Sequence, residues 1–285
     1  MELLIGGKWT ASQSGREEEV TSPFDGAGAG SVPIAGTADV DAALTAAVAG
    51  AAVWRNTPGH QRMRVLLEAA RLADERADVI AQTISAEAGK SITEARGEAS
   101  RSGEMIRLAA FEGTQLYGDS LPLDANPGTG FDKIGFTVRQ PVGVVVAITP
   151  FNYPALLVMH KLAPALAAGN AVVLKPARAT PLTALALAAC FVDAGLPDGV
   201  LSVVTGAGGE LGDALVSDPR VNKVSFTGST GVDLSDCPHR TCDIGGEHSS
   251  PEAVGGPVGQ RDRALPVLSD GDRHRRAEQL VLTER

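Results

Sequence analysis

The sequence is short of cysteine and of long apolar runs, and each shortage excludes a class of protein. Three scattered Cys among 285 residues fit a reducing compartment rather than a disulfide framework. No apolar run approaches the roughly 18 residues of a membrane span. The opening MELLIGGKWT lacks a basic segment followed by a long apolar core, so we expect no signal peptide. These features predict a cytoplasmic protein.

Positive charge is also in deficit. The chain has 25 Lys and Arg against 34 Asp and Glu, which gives a formal net charge of −9. This balance argues against nucleic acid or an anionic membrane as the main partner. The hydrophobic fraction of 44% is ordinary for a globular protein, and the length allows one large domain or two modest ones.

The chain before residue 142 reads as mostly helical. Hydrophobic periodicity predicts, in order, an edge strand at 3–8 that ends at Gly6-Gly7, a turn-rich connection at 21–36, and helices at 40–54, 62–88 with a break near 74–77, and 92–116. Thr37 or Asp39 is expected to cap the first helix. That helix has a nearly pure alanine face, which predicts close packing on a neighbour.

Residues 142–174 are predicted to form a central βαβ unit. The run 142–148 is apolar and rich in β-branched residues, which is typical of a strand buried on both faces. Two prolines in 149–154 break the chain before a helix that begins at Ala155, and a second buried run follows at 171–174. This βαβ unit places Asn152 at the carboxyl end of a central strand, where open α/β sheets bind ligands.

The alternation continues towards residue 226. Two further helices and two further strands are predicted at 181–194, 200–204, 209–216 and 222–226. Four strands joined by three crossovers indicate a parallel sheet. The expected fold is therefore α/β, a Rossmann-like parallel sheet with flanking helices. A separate strand is predicted at 134–139.

Three segments together resemble the aldehyde dehydrogenase superfamily: TPFNYP at 149–154, AGNAVVLKPA at 168–177 and FTGSTG at 226–231. The resemblance runs from about Ile5 to Val232 and covers the cofactor-binding part. It implies NAD(P)-dependent oxidation of a small-molecule aldehyde to an acid, and places near 131–140 a strand of the kind used in oligomer contacts. The family is homo-oligomeric, whereas assembly of this chain is left open because the family's C-terminal oligomer strand has no match here.

After Val232 the composition changes. Residues 233–285 contain no aromatic residue and no Lys, and Gly and Pro recur throughout. We expect no helix or strand of useful length there, and a disordered tail separate from the domain at 1–232. The abrupt change favours a shifted reading frame over a natural disordered tail, and the domain would then be a truncated one.

Asn152 is the candidate catalytic residue. A side-chain amide aimed at a developing oxyanion stabilises a tetrahedral intermediate, and loss of such a donor costs roughly 10²–10³ in rate. The resemblance gives the Asn of PFN this role. The alternative is an Asn that caps the helix starting near Pro154, and the flanking motifs favour the catalytic role.

Two basic residues are candidates for cofactor binding. The resemblance assigns Lys175 to ribose hydroxyls and includes Thr149 and Pro150 in the cofactor site; the alternative for Lys175 is an ordinary Lys at a strand exit. Arg178 stands where many members carry a carboxylate on the adenosine ribose. An Arg could accept the 2′-phosphate of NADP, so NAD or NADP is expected with a lean to NADP. The alternative is a solvated Arg that points away.

Two glycine-containing turns complete the cofactor candidates. The loop at 206–209 is not a G-x-G-x-x-G fingerprint, because Leu211 stands at the third glycine position. The family has a similar loop beside the adenine, which implicates Gly208. The resemblance also assigns to the cofactor Phe226, Gly228 and Ser229. The helix that should follow Gly231 is missing, and this leaves that half of the site in doubt.

The family needs a nucleophilic Cys in a GQxC-type segment and a general-base Glu in an ELGG-type segment. Neither segment occurs in the sequence. Cys190 lies in an apolar helix and is interpreted as core, while Cys237 and Cys242 match no family context. A zinc site made by these two Cys with His239 and His248 has the spacing of no standard finger. We therefore expect an inactive enzyme; the alternative is a non-catalytic NAD(P)-binding or partner-binding fragment.

Overall fold

The computed structural model describes residues 1–125, 127–128 and 132–228, together with the backbone of two strands at 242–246 and 281–284. The elements are β1 Leu3–Ile5, β2 Lys8–Thr10, β3 Glu17–Thr21, β4 Gly28–Pro33, α1 Thr37–Arg55, α2 Gly59–Glu75, α3 Ala77–Ala88, α4 Ile92–Glu112, β5 Ser120–Leu121, β6 Lys133–Phe136, β7 Val144–Ile148, α5 Leu156–Ala167, β8 Ala171–Lys175, α6 Pro181–Asp193, β9 Leu201–Val203, α7 Gly209–Val216, β10 Lys223–Gly228, β11 Cys242–Gly246 and β12 Val281–Glu284. No helix among the described residues is both long enough and apolar enough to cross a membrane.

The chain divides into two compact units. The first contains residues 1–114 and 141–247, and the second contains 115–140 and 248–285. The first unit holds a seven-stranded sheet in the order β11-β10-β7-β8-β9-β1-β2 and the separate hairpin β3-β4. The second unit holds an antiparallel sheet in the order β12-β6-β5.

The predicted parallel sheet is confirmed. β7 pairs in parallel with β8 and with β10, and β8 pairs in parallel with β9. The chain moves outwards from β7 through β8 to β9, and then returns to the opposite side of β7 as β10. The strand order therefore reverses between β7 and β10, and this reversal creates the crevice in which open α/β sheets bind ligands.

The two faces of this sheet bury separate cores. Along β7, Val144 and Val146 pack into one core with α1 and α7, whereas Val145 and Ala147 pack into another with α2 to α6. This division follows from the alternation of side chains along a strand. It explains why the run 142–148 is apolar at successive positions, as the sequence predicts for a strand buried on both faces.

The prediction of an edge strand at 3–8 was wrong. β1 lies inside the sheet between β9 and β2, and its Leu3 and Leu4 are fully buried. Gly6 and Gly7 have φ values of +59° and +77°, which allow a tight two-residue hairpin. β2 folds back over β1 through this turn and becomes the edge strand instead.

The prediction that residues 233–285 contain no strand of useful length was also wrong for two short stretches. β11 pairs in parallel with β10 along five residues, and β12 pairs antiparallel with β6. An unpaired strand edge offers main-chain donors and acceptors to any extended segment, so this pairing needs no apolar run. The remainder of the predicted disordered tail lies outside the described residues.

The helices follow the sequence predictions closely. The expected break in the second helical stretch falls at Arg76, between α2 and α3, and Gly89 ends α3 with a left-handed φ of +68°. α1 begins one residue after Gly36, so Thr37 does not cap it. The Asp39 carboxylate instead accepts a hydrogen bond from the Gly36 backbone N–H at 2.8 Å.

Candidate functional site

The carboxyl ends of three parallel strands bring together residues that the sequence places far apart. Ile148 at the end of β7 aligns with Lys175 on β8 and with Phe226 on β10. Thr149 follows immediately and is buried, and its N–H donates to the Lys175 carbonyl at 3.3 Å. The candidate cofactor residues Thr149, Lys175 and Phe226 therefore lie at one edge of the sheet, beside the point where the strand order reverses.

Lys175 is the most unusual side chain at this edge. It is only 4% exposed, and burial lowers the pKa of its ammonium group. Within the described residues, its Nζ makes no hydrogen bond or ion pair. The end of the side chain is not sealed from solvent, since Nζ is not among the buried polar atoms without a partner, and a Lys ammonium offers three donors there. The edge therefore fits a ligand with hydroxyl acceptors, such as the ribose of a dinucleotide.

Asn152 lies half-buried in the turn between β7 and α5. Its Oδ1 accepts a hydrogen bond from the Tyr153 N–H at 3.1 Å, whereas its Nδ2 has no acceptor among the described residues. The N-cap residue of α5 is Ala155, and its side chain forms no capping hydrogen bond. The alternative role of Asn152 as the cap of this helix was wrong, and its amide N–H group remains available to a ligand.

Glu98 from α4 performs the capping. Its Oε1 accepts hydrogen bonds from the backbone N–H groups of Ala155 and Leu156 at 2.8 and 3.0 Å. Its Oε2 forms an ion pair with Lys90 Nζ at 2.7 Å, and that Nζ lies 3.7 Å from the ring centroid of Tyr153. This network, defined as Glu98, Lys90 and Tyr153, holds the chain directly after Asn152, at the Tyr153 ring and at the start of α5.

The network is not predicted from the sequence, although one signal for it exists. Glu98 lies on the face of α4 that buries Ala95, Ala99 and Ser102. A carboxylate on a stripe of small buried residues is rarely left without partners. The partners themselves could not be inferred, because they lie on other elements.

Arg178 is exposed, but an ion pair holds its side chain. Its Nε and Nη2 both contact Oε1 of Glu18 on β3, and this pairing raises the pKa of the guanidinium. The two side chains line a cavity of about 240 Å³ together with Arg16, Thr37 and Ala207. Ala207 belongs to the glycine loop, so the cavity joins that loop to the segment after β8.

The glycine loop at 206–209 contains one glycine that the backbone requires. Gly206 has a φ of +147°, and a Cβ there would lie 3.3 Å from Leu211. Gly208 precedes α7 with ordinary helical angles, and a Cβ there would meet nothing within 4 Å. Gly208 is thus open to a ligand, and its role beside the cofactor stays a prediction.

The end of β10 is described only as far as Gly228. A Cβ at this position would collide with the ring of Phe226, which is itself 4% exposed. The glycine therefore lets the chain leave the strand across this ring. Ser229 lies outside the described residues, as does the start of the segment that should follow Gly231.

The described cysteine confirms one prediction. Cys190 is fully buried on α6, and burial raises the pKa of its thiol while the nearby Arg76 opposes that rise. Such a thiol is a poor nucleophile, in agreement with its interpretation as core. The side chains of Cys237, Cys242, His239 and His248 lie outside the described residues. Elsewhere in the described part of the chain, no cluster of three His, Cys, Asp or Glu could hold a metal ion.

A second buried carboxylate supports the segment that carries Arg178. Glu87 on α3 is 2% exposed, and its two oxygens accept the backbone N–H groups of Leu182 and Thr183 at 2.7 and 2.9 Å. These are first-turn amides of α6, the helix that follows Arg178. Desolvation by burial raises the pKa of Glu87 to about 7 from an ordinary value of 4.5, although the amide hydrogen bonds oppose this rise.

We expect this raised pKa to make the fold less stable as pH rises. The folded protein keeps the Glu87 proton between pH 4.5 and about 7, whereas the unfolded chain releases it near the lower value. This stabilisation is therefore complete below the lower pKa and is lost as pH rises through the higher pKa, and it amounts to about 3 kcal/mol. The check is urea unfolding across this range, with Glu87→Gln compared at each pH. If the variant shows the same pH dependence as the wild type, the assignment is wrong.

The sequence matches the model of the Aldehyde dehydrogenase family over residues 9–234. It is 42% identical over 231 residues to the succinate-semialdehyde dehydrogenase [NADP(+)] GabD of Escherichia coli K12. This matched region covers 81% of this chain and 47% of that relative. It is also 42% identical over 230 residues to the 3-sulfolactaldehyde dehydrogenase of Priestia aryabhattai, with 81% and 47% covered. The chain thus spans about half the length of the curated relatives that it matches.

Solved structures give the same result for the fold. The NADP-dependent glyceraldehyde-3-phosphate dehydrogenase of Bacillus halodurans C-125, complexed with NADP, superposes with a TM-score of 0.82 at 36% identity, covering 85% of this chain and 51% of that one. An NAD-dependent aldehyde dehydrogenase of Sinorhizobium meliloti gives 0.80 at 34% identity, covering 85% and 49%. The predicted Rossmann-like fold is confirmed, and the similar proteins include both NADP and NAD types.

Proposed function

This chain belongs to the aldehyde dehydrogenase family, and on that premise we propose that it is the cofactor-binding half of an enzyme that oxidises an aldehyde to a carboxylic acid with NAD or NADP. The observation that carries the proposal is Lys175, a largely buried residue whose Nζ lacks a partner among the described residues at the edge where the strand order reverses. A dinucleotide bound there would supply the electron acceptor for the oxidation.

In this proposal one set of residues binds the cofactor and Asn152 contacts the substrate. Lys175 donates to ribose hydroxyls, and Thr149 and Pro150 border the cofactor at the end of β7. The remaining predicted contacts are Arg178, Gly208, Phe226, Gly228 and Ser229. Asn152 would donate its Nδ2–H to the substrate oxygen as negative charge develops there. Its position is supported by the network of Glu98, Lys90 and Tyr153.

We also propose that the chain binds NAD(P) without oxidising aldehydes. The 285 residues contain neither a GQxC-type nor an ELGG-type segment, and the family match ends at residue 234. This supports a division into a family domain at 1–232 and an unrelated segment at 233–285. A shifted reading frame explains the division, and sequencing the coding DNA across residues 226–242 tests it. If no other frame restores the two missing segments, the frameshift explanation fails.

The aldehyde itself is left unassigned. Similar proteins are named for succinate semialdehyde, 3-sulfolactaldehyde and phenylacetaldehyde, so the shared property is a small-molecule aldehyde. A cytoplasmic location is supported by the free, buried Cys190 and the scattered use of Cys. Assembly into an oligomer stays a prediction from the family, for which β6 is the relevant strand.

Replacing Lys175 with Met should weaken binding of both NAD and NADP by roughly 10- to 100-fold, because hydrogen bonds from a charged donor contribute about 1.5–3 kcal/mol. Met keeps most of the side-chain volume and removes the donors. Isothermal titration calorimetry with each dinucleotide measures the change. Lys8→Met on the exposed strand β2 is the control for loss of one positive charge. Wild-type protein that is folded and binds neither dinucleotide would contradict the proposed function.

A further inference from the structure

The ion pair between Glu18 and Arg178 joins two parts of the first unit that are far apart in sequence. Glu18 lies on β3, where it pairs in register with Val32 of β4, and Arg178 follows β8. The Glu18 side chain is 19% exposed, whereas the Arg178 side chain is 62% exposed. The carboxylate is therefore the anchored partner, and the guanidinium is the part that can turn towards a ligand.

The cavity beside this pair carries an unusual set of charges. Two arginines, Arg16 and Arg178, line it, and Glu18 is the one acidic residue among its described lining residues. Arg16 and Glu18 are two residues apart on an extended segment, so they project to the same face. Arg16 forms no ion pair within the described residues. The lining is therefore attractive to an anion, but its central guanidinium is already neutralised.

We propose that Glu18 sets the preference between NADP and NAD at this cavity, because it occupies the guanidinium that a 2′-phosphate would need. The inference rests on the proposed binding of NAD(P). A 2′-phosphate must displace Glu18 from Arg178 and then lie beside a carboxylate of its own charge. NAD has no such group and keeps the ion pair intact. The preference for NADP is therefore weaker than Arg178 alone would give, and with Glu18 present the site accepts both NAD and NADP.

Two nucleotides that differ only in the 2′-phosphate isolate this effect. Calorimetric titration of the full chain with 5′-AMP and with adenosine 2′,5′-bisphosphate gives an affinity ratio. Glu18→Gln should raise that ratio in favour of the bisphosphate by about five- to tenfold, since two charges about 4 Å apart interact by about 1 kcal/mol even in water. The gain should shrink as salt is added.

Glu17→Gln is the matched control. Glu17 lies on the same strand and is exposed, but it does not line the cavity, so the ratio should stay unchanged. In an Arg178→Gln background, Glu18→Gln should give a smaller gain, because it then relieves only the repulsion between the carboxylate and the 2′-phosphate and releases no guanidinium.

Three results would overturn the inference. One is an unchanged ratio in Glu18→Gln while wild-type protein binds both nucleotides, and this would leave the proposed cofactor binding intact. Another is an equal gain in Glu17→Gln, which would reveal a general charge effect. The third is folded wild-type protein that binds neither nucleotide, which would remove the proposed function as well.

Discussion

Replacing Gly50 with alanine should destabilise the first unit by about 4 kcal/mol, at the upper end of the cost of overpacking. Gly50 lies on α1, and a Cβ there would be 2.5 Å from both the Gly199 carbonyl oxygen and the Val200 nitrogen. Those atoms cannot yield easily, because Gly199 has a φ of +80° and packs against the carbonyl of Ala46 on the same helix. The alanine would force α1 away from β8 and β9.

Gly97→Ala, the same substitution at another helical position, should instead stabilise the protein. Gly97 lies on an exposed face of α4, and a Cβ there would meet nothing within 4 Å. Alanine should stabilise this helix by roughly 0.5–1 kcal/mol. Chemical denaturation of the two variants and the wild type measures both changes. A Gly50→Ala protein as stable as the wild type would show that α1 does not approach the Gly199–Val200 backbone as closely as described.

The sequence predicts one side of the contact between α1 and the Gly199 turn, namely the α1 side. The alanine face of α1 indicates a close approach to a neighbour, and that expectation is confirmed by the packing of Gly50. The neighbour is a turn with a left-handed glycine, 149 residues further along the chain by the numbering of Gly50 and Gly199. Local periodicity carries no information on such a pair, since tertiary packing alone brings its members together.

The same distinction explains which parts of the sheet were predicted. Strands β7 and β8 contain continuous apolar runs, and crossovers of helical length separate β7, β8, β9 and β10, so the type and direction of these strands follow from local pattern. β1 is only three residues long and β11 carries no apolar run. Their places in the sheet depend on main-chain pairing with strands elsewhere, which composition does not reveal.

The candidate site divides in a similar way. The βαβ unit explains why Thr149, Asn152 and Lys175 lie at the carboxyl edge of the sheet. The carboxylates that contact the neighbouring segments come from elsewhere: Glu98 on α4 binds the start of α5, and Glu18 on β3 pairs with Arg178. A buried carboxylate can be suspected from its helical face, but its partners require the tertiary structure.

Replacing Glu98 with alanine should destabilise the first unit by about 3–5 kcal/mol, the cost of removing one partner from a buried ion pair. Glu98 is 4% exposed and is the acceptor for two backbone N–H groups at the start of α5. The variant would leave these donors without an acceptor and Lys90, whose side chain is 20% exposed, without its counter-charge. Helix α5 would also lose the negative charge that favours its N-terminus.

Glu104→Ala separates this effect from a general loss of charge on α4, because Glu104 lies on the exposed face of the same helix. Its unfolding free energy should stay within about 0.5 kcal/mol of the wild type. Residue-resolved amide exchange adds a local test: the N–H groups of Ala155 and Leu156 should exchange faster in Glu98→Ala and not in Glu104→Ala. Glu98→Gln should fall between the two, since it keeps an acceptor but loses the charge that pairs with Lys90. Unchanged exchange at the start of α5 in Glu98→Ala would mean that this carboxylate does not hold the turn carrying Asn152, and the proposed support for the oxyanion donor would then fall.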